Sequence, residues 1–153
     1  MTPSDRAAPH PHHGRCHCGK LRWTLESTLA PSDLPARACQ CGFCRAHGAL
    51  STSDPTGAPR FAADDATTLI RYRFATETAE FLICARCGVY VGAVMSHDGR
   101  WYGIVNLRTL EGYRESAYTV QPFDYSGESA DTRRMRRASR WTPATPIGEP
   151  AQP

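Results

Sequence analysis

Seven cysteines constrain this 153-residue chain more than any other feature, because they occur in three tight groups. The first group is C-x-C at Cys16 and Cys18, the middle group is C-x-C-x-x-C at Cys39, Cys41 and Cys44, and the last group is C-x-x-C at Cys84 and Cys87. An odd number leaves one thiol over in any complete disulfide pairing. Cysteines two or three residues apart let one turn of the chain point two thiolates at one ion. The spacing therefore favours zinc binding over disulfides or inert thiols.

Seven thiolates divide naturally into one closed site of four ligands and one open site of three. Structural zinc takes four protein ligands, whereas catalytic zinc takes three and keeps a position for water or substrate. The first and last groups are far apart in sequence, so a shared metal would join the start of the domain to its middle. The middle group is contiguous and would close only a short loop. Spacing alone leaves the division open, because Cys41 and Cys44 are themselves a C-x-x-C pair.

Composition is that of an ordinary globular domain, with 41% hydrophobic and 22% charged residues. No window approaches the roughly 18 apolar residues of a membrane-spanning helix, so we expect no membrane partner. Residues 1–14 include no apolar segment of the secretory type. Reduced thiols and the lack of a signal predict a cytoplasmic protein.

The ends of the chain differ from its centre in composition. Residues 1–13 combine prolines, small residues and three histidines without periodicity, which predicts a disordered leader. Residues 144–153 are rich in proline and predict an extended tail. A single zinc-binding domain is therefore expected over residues 14–143, since this length suits one domain.

Period-two alternation dominates the predicted domain, which favours a mostly β fold. Apolar residues alternate with polar ones over Leu21–Leu25 and again over Ile70–Phe74. Asp98 and Gly99 lie between two apolar runs and predict a hairpin turn. Further strands are expected near residues 81–84 and, at a sheet edge, 118–123. One short C-terminal helix is predicted over Glu128–Arg140, with acidic residues first and arginines last.

Three segments resemble the signatures of the glutathione-dependent formaldehyde-activating enzyme family, which includes the centromere protein V relatives. They are GRCHCGKLRW at 14–23, CQCGFCR at 39–45 and FLICARCG at 81–88. The C-terminal stretch, with YSGE at 125–128 and SRWTP at 139–143, is similar to that of the family members called aldehyde-activating. The resemblance implies a β-tent zinc-binding fold of stacked small antiparallel sheets.

The same resemblance implies two Zn²⁺ ions per chain, divided as the spacing suggests. A structural zinc would lie on Cys16, Cys18, Cys84 and Cys87, and a catalytic zinc on Cys39, Cys41 and Cys44. The implied activity is that of a carbon–sulfur lyase, which joins or cleaves an adduct between a small thiol such as glutathione and a small aldehyde such as formaldehyde. A thiol entering the open position would lose its proton to become the nucleophile.

Two residues beside the middle group are candidate catalytic residues. His47 is the nearest candidate acid or base, although it could also be a fourth ligand or an exposed loop histidine. Arg45 could bind a substrate carboxylate or offset the charge of the thiolates. We expect His47 not to be a ligand, because the middle group already supplies the three ligands of a catalytic site.

The sequence also supports other functions less well. A non-enzymatic zinc scaffold could bind protein or nucleic acid through the arginines of the C-terminal helix. A net charge of +3 and the lack of interleaved aromatic residues argue against a nucleic-acid partner. These arginines are instead interpreted as a solvated helix face. Redox exchange at the last group would need a helix after the motif, where a strand is predicted.

Overall fold

The computed structural model describes residues 8–145 and residue 147. The strands are β1 (His10–Arg15), β2 (Leu21–Ser27), β3 (Ala36–Cys39), β4 (Ser51–Thr52), β5 (Ala58–Ala63), β6 (Leu69–Tyr72), β7 (Glu80–Cys84), β8 (Tyr90–His97), β9 (Arg100–Asn106), β10 (Val120–Phe123) and β11 (Thr142–Ala144). The helices are α1 (Gly42–His47) and α2 (Ala130–Arg140). The prediction of a mostly β fold with a C-terminal helix is confirmed. The short helix α1 was not expected.

Two sheets pack around a common core. The smaller sheet has the order β1-β2-β5, and the larger has the order β10-β3-β4-β9-β8-β7-β6, with β11 added beside β9. The strand pairs are antiparallel except for β10 with β3, which is parallel. The alternation in β2 buries Leu21, Trp23 and Leu25, which contact apolar residues of β7, β8 and β9. The predicted inward face of β2 is therefore correct.

The domain begins earlier in the chain than the sequence suggested. Strand β1 pairs with β2 from His10 opposite Ser27 to Arg15 opposite Arg22. His12 is only 4% exposed, and its Nε2 donates a hydrogen bond to the Leu29 carbonyl at 2.9 Å. Residues 10–13 are thus not a disordered leader, because they pair with β2 and bury the His12 side chain. Residues 1–7 of the expected leader lie outside the described residues.

The C-terminal segment also belongs to the sheet. The Ser129 side chain caps α2 by accepting a hydrogen bond from the backbone N–H of Thr132 at 3.1 Å. Beyond α2, strand β11 pairs with β9, with Ala144 opposite Trp101. The paired region therefore includes the first residue of the expected tail. Residue 146 and residues 148–153 of that tail lie outside the described residues.

The turn between β8 and β9 agrees with the predicted hairpin. Asp98 and Gly99 have φ angles of 50° and 73°, as a type I′ turn requires. The predicted apolar face of β6 is not buried, however. Ile70 and Tyr72 are 45% and 46% exposed, because β6 is the last strand of its sheet. Neither helix in the described part of the chain is long and apolar enough to cross a membrane.

Candidate metal centres

The first and last cysteine groups meet in one cluster. The thiols of Cys16, Cys18, Cys84 and Cys87 all lie within 4.8 Å of one another. The Sγ atoms of Cys16 and Cys18 are 3.7 Å apart, and those of Cys18 and Cys84 are 3.6 Å apart. A tetrahedral zinc with sulfur ligands at about 2.3 Å places its sulfurs about 3.8 Å apart. These two distances match a closed tetrahedral site, and the other sulfurs of the cluster lie within 4.8 Å.

Each pair of this cluster lies at a tight turn that ends in glycine. Gly19 and Gly88 have φ angles of 81° and 78°, which a residue with a Cβ adopts at a steric cost. The backbone N–H of Gly88 donates to the Cys84 carbonyl at 2.8 Å, which closes the second turn. At the first turn, the N–H of Leu21 donates to the Cys16 Sγ at 3.3 Å, which fixes the position of this sulfur.

Within the four-thiol cluster, the surroundings of Cys87 favour its ionised form. Burial raises the pKa of Cys87, but backbone N–H donors at Cys18 and Val89 and the neighbouring thiols lower it, and the pKa is about 6. Cys16 and Cys84 are 1% and 0% exposed, so this cluster belongs to the core. A metal held here would be shielded from a substrate on the side of these two buried cysteines.

The middle group forms a second cluster at the junction of β3 and α1. The thiols of Cys39, Cys41 and Cys44 lie within 4.8 Å of one another. Cys39 ends β3, Cys41 is the N-cap residue of α1, and Cys44 lies in its first turn. The Cys41 Sγ accepts the N–H of Cys44 at 3.4 Å, in the place of the usual capping oxygen. The turn from β3 into α1 thus brings three cysteines toward one point.

The charge state within the middle cluster is uneven. A hydrogen bond from Cys44 lowers the pKa of Cys39 to about 5, against the effect of burial. The same hydrogen bond raises the pKa of Cys44, and burial raises it further. The positive charge of Arg136 also lowers the pKa of Cys39. One thiolate is therefore stabilised at neutral pH before any metal binds.

The middle cluster forms one wall of a cavity of about 330 Å³. All three of its cysteines line the cavity, whereas the four-thiol cluster does not. Phe74, Phe81, Ile104 and Trp141 provide apolar wall, and Ser51 and Ser126 provide hydroxyl groups. The volume is in the usual range for small-molecule sites. The arrangement can hold a metal with three thiolates and bring a small molecule to it.

Arginines from two elements face this cavity, which the sequence did not indicate. Arg37 of β3 and Arg133, Arg136 and Arg137 of α2 line the cavity. The interpretation of the α2 arginines as a solvated helix face is wrong for these three, and Arg137 is only 8% exposed. The position of Arg37 could have been predicted from the sequence. Residues two apart in a strand share a face, and Arg37 is two residues before Cys39.

The segment between β10 and α2 forms another wall of the cavity and is held by α2. Asp124 and Tyr125 of this segment line the cavity. Arg136 forms a two-pronged ion pair with Glu128, with Nε–Oε2 and Nη2–Oε1 distances of 2.8 and 2.9 Å. The Arg136 guanidinium also lies 3.5 Å from the centre of the Tyr125 ring. Arg136 therefore fixes the segment as well as charging the cavity.

The two predicted catalytic side chains lie elsewhere. Arg45 and His47 are exposed, and neither lines the cavity. The His47 ring instead packs against Phe43 at 4.5 Å and Tyr90 at 5.8 Å between centroids. Their positions follow from α1, which turns Cys44 inward and carries the residues after it toward solvent. Closeness in sequence to Cys44 therefore did not place either side chain in the cavity wall.

Comparison with known proteins gives two matches. A family model described as glutathione-dependent formaldehyde-activating enzyme matches residues 11–123, a range that includes all seven cysteines. A crystal structure of a protein from Rhodobacter sphaeroides is similar, with 31% sequence identity and a TM-score of 0.56. That match covers 72% of this chain and 97% of the other. Helix α2, over residues 130–140, lies beyond the range of the family model.

Proposed function

The chain belongs to the glutathione-dependent formaldehyde-activating enzyme family, and we propose that it is a zinc-dependent carbon–sulfur lyase. It joins or cleaves the adduct between a small thiol and a small aldehyde. The family match supports chemistry related to glutathione and formaldehyde in general. The lyase reaction and its dependence on zinc are the proposal.

One observation carries this proposal: three converging thiols line a small-molecule cavity, and a separate cluster of four does not. A closed four-ligand site suits a structural ion, and a three-ligand site beside a cavity suits a catalytic one. We therefore assign Cys16, Cys18, Cys84 and Cys87 to a structural zinc, and Cys39, Cys41 and Cys44 to a catalytic zinc. Sulfur-only ligand sets favour zinc over harder ions.

In the proposed reaction a thiol R–SH adds to an aldehyde R′–CHO to give R–S–CH(OH)–R′. A carbon–sulfur bond forms, the carbonyl π bond breaks, and the proton from sulfur ends on the new hydroxyl oxygen. Zinc bound to three thiolates would supply a centre that lowers the pKa of an incoming thiol. Cleavage is the same sequence in reverse, so no oxidant or reductant is needed.

The protein's own residues position the reactants. Phe81, Ile104 and Trp141 supply an apolar wall beside the cysteines, which limits water around the sulfur. Arg136 places positive charge near Cys39, which favours negative charge as it develops on the aldehyde oxygen. Holding a thiol and an aldehyde together in this cavity removes much of the entropic barrier to their reaction.

The proposal gives Arg45 and His47 no contact with the substrate, because neither lines the cavity. We propose that His47 packs beside the site and is not a zinc ligand. The reaction needs reduced cysteines, and all seven are free thiols in the structure. This chemistry suits a reducing compartment such as the cytoplasm.

The test must separate catalysis from the spontaneous reaction of thiols with formaldehyde. At equilibrium, NMR exchange spectroscopy measures the rate of interconversion between glutathione and its S-hydroxymethyl adduct. We expect the zinc-loaded protein to increase this rate without changing the equilibrium ratio. The Cys41→Ser variant should leave the rate at its spontaneous value.

The screen should extend to other thiols and aldehydes. Acceleration with any pair supports the lyase class, and the best pair identifies the substrates. A folded, zinc-loaded protein that accelerates no pair would rule the proposed function out.

A further inference from the structure

Two arginines in the cavity have no carboxylate partner among residues 8–145. Arg37 of β3 donates a hydrogen bond to the hydroxyl of Ser53, and Arg137 of α2 donates to the hydroxyl of Thr78 at 2.6 Å. By contrast, Arg133 and Arg136 both pair with Glu128. The cavity therefore contains two guanidinium groups that are held in place by neutral partners.

Burial makes these unpaired charges costly. Arg137 is 8% exposed, and a buried ion without a counterion destabilises a fold because it loses its hydration. Burial, together with the charges of Arg136 and Arg133, lowers the pKa of Arg137 to about 10. Both guanidinium groups are charged at neutral pH. The Trp141 ring, 4.9 Å from the Arg137 guanidinium, and the Cys39 thiol offset part of the Arg137 charge, but no carboxylate among residues 8–145 pairs with either arginine.

The charge balance around the cavity also favours an anion. Four guanidinium groups line the cavity, whereas the nearby carboxylates are Asp124 in the cavity wall and Glu128 beside it. This leaves an excess of two positive charges. A zinc held by three thiolates carries a formal charge of about −1, which offsets only one of them.

We infer that Arg37 and Arg137 bind a carboxylate of the thiol substrate and so select anionic thiols over neutral ones. The inference rests on the proposed function for the identity of the ligand as a thiol. Arg37 and Cys39 extend from the same face of β3, so an anion on Arg37 lies beside the cysteine cluster. Guanidinium is the side chain best suited to bind a carboxylate through two parallel hydrogen bonds.

This assignment differs from what the cysteine motifs indicate. Arg137 lies beyond residues 11–123, the range that the family model matches. Residues of β3 and α2 would thus select the thiol together, whereas the three cysteine groups would supply the metal ligands. The arginines act as specificity-determining residues, and they do not take part in bond formation.

The test uses ligands that cannot react. S-methylglutathione is a thioether, so it neither ionises at sulfur nor adds to an aldehyde. Its matched control is the same peptide with both carboxylates converted to amides. Binding to the zinc-loaded protein without aldehyde is followed by NMR at the indole N–H of Trp141, which lines the cavity.

We expect the carboxylate form to bind roughly 10- to 100-fold more tightly than the amide form, the usual effect of a charge-assisted hydrogen bond. Arg37→Gln and Arg137→Gln should each reduce this preference at least several-fold. Arg134→Gln is the matched control, because Arg134 lies on the same helix, pairs with Asp131 and does not line the cavity. It should leave the preference unchanged.

Three outcomes would overturn the inference. The first is equal binding of the two ligands by the wild-type protein. The second is a preference that survives both substitutions. The third is that the substitutions weaken the binding of both ligands equally, which would mean that the arginines only offset the charge of the thiolates. If Arg137→Gln does not fold, Arg37→Gln decides the matter. A carboxylate preference in a protein that accelerates no thiol–aldehyde pair would support this inference while excluding the lyase.

Discussion

The thiols of Cys18 and Cys84 lie 3.6 Å apart, although 66 positions separate them in the sequence. A bond to a shared metal would close this long loop. The middle cluster, by contrast, spans only the six residues from Cys39 to Cys44. The entropic cost of closing a loop grows with the logarithm of its length. A bond that closes the longer loop therefore stabilises the folded state by about 2 kcal/mol more than one that closes the shorter loop. Stability and activity should therefore depend on different clusters.

The first prediction concerns the four-thiol cluster. We expect Cys84→Ser to lose most of its folding stability and one zinc per chain. The reason is that Cys84 is fully buried and that structural zinc contributes about 10 kcal/mol or more to folding in small zinc domains. Thermal unfolding with a zinc count would measure both effects. An unchanged melting temperature would show that this cluster is not structural.

The second prediction concerns the middle cluster. Cys41→Ser should melt close to the wild-type protein, lose the second zinc and show no acceleration of adduct exchange. Its ligands close only a short loop, and Cys41 is itself half-buried at the start of α1. If this variant unfolds as readily as Cys84→Ser, the middle site is structural and the scaffold function becomes the better explanation.

The third prediction concerns His47. His47→Ala should retain two zinc ions per chain, because the three cysteines cluster without it. Adduct exchange should change by less than about threefold, since the His47 side chain is exposed and outside the cavity. Cobalt substitution offers an independent check, because nitrogen coordination alters the visible spectrum. Loss of one metal in the variant would identify His47 as a ligand.

The fourth prediction tests the packing of β1 on β2. Gly14 lies opposite Trp23, and a Cβ added at Gly14 would lie 2.0 Å from the Trp23 ring. Gly14→Ala should therefore destabilise the fold by about 2 kcal/mol, the usual effect of overpacking. Gly127→Ala is the control, since nothing lies within 4 Å of its added Cβ. Equal melting of the two variants would contradict the position of β1.

The fifth prediction tests the ion pair that holds the cavity wall. The hydrogen bond from Arg136 lowers the pKa of Glu128. The stabilisation is therefore complete above the ordinary glutamate pKa of about 4.3 and is lost only as the pH falls through the lower folded value. Glu128→Gln should lower stability by about 1 kcal/mol, equally at pH 6 and pH 8.

A matched control is available on the same helix. The Asp131 side chain is 91% exposed and pairs with Arg134 at 3.1 Å. Asp131→Asn should have an effect near zero, because exposed ion pairs contribute little. A loss for Glu128→Gln that differs between pH 6 and pH 8 would show that another group titrates with this pair.

Local pattern was enough to locate much of the fold. Leu21, Trp23 and Leu25 revealed the inner face of β2, because a strand alternates its side chains. Sequence pattern did not reveal β1, because its proline and three histidines resemble the composition of a flexible leader. It failed again at Ile70 and Tyr72, because burial of a strand face depends on what the rest of the chain places against it.

The sequence predicted one part of the candidate site, and the tertiary structure decided the other. The sequence by itself indicated which cysteines lie close together within each group, because residues two or three apart need only one turn of chain to converge on one point. Only the tertiary structure decided that Arg37 and Arg137, a hundred positions apart, line one cavity with the middle cluster. It also decided that Arg45 and His47 do not, although they directly follow that cluster. Contacts between distant elements depend on how sheets and helices pack, and that information is spread over the whole chain rather than held in any one motif.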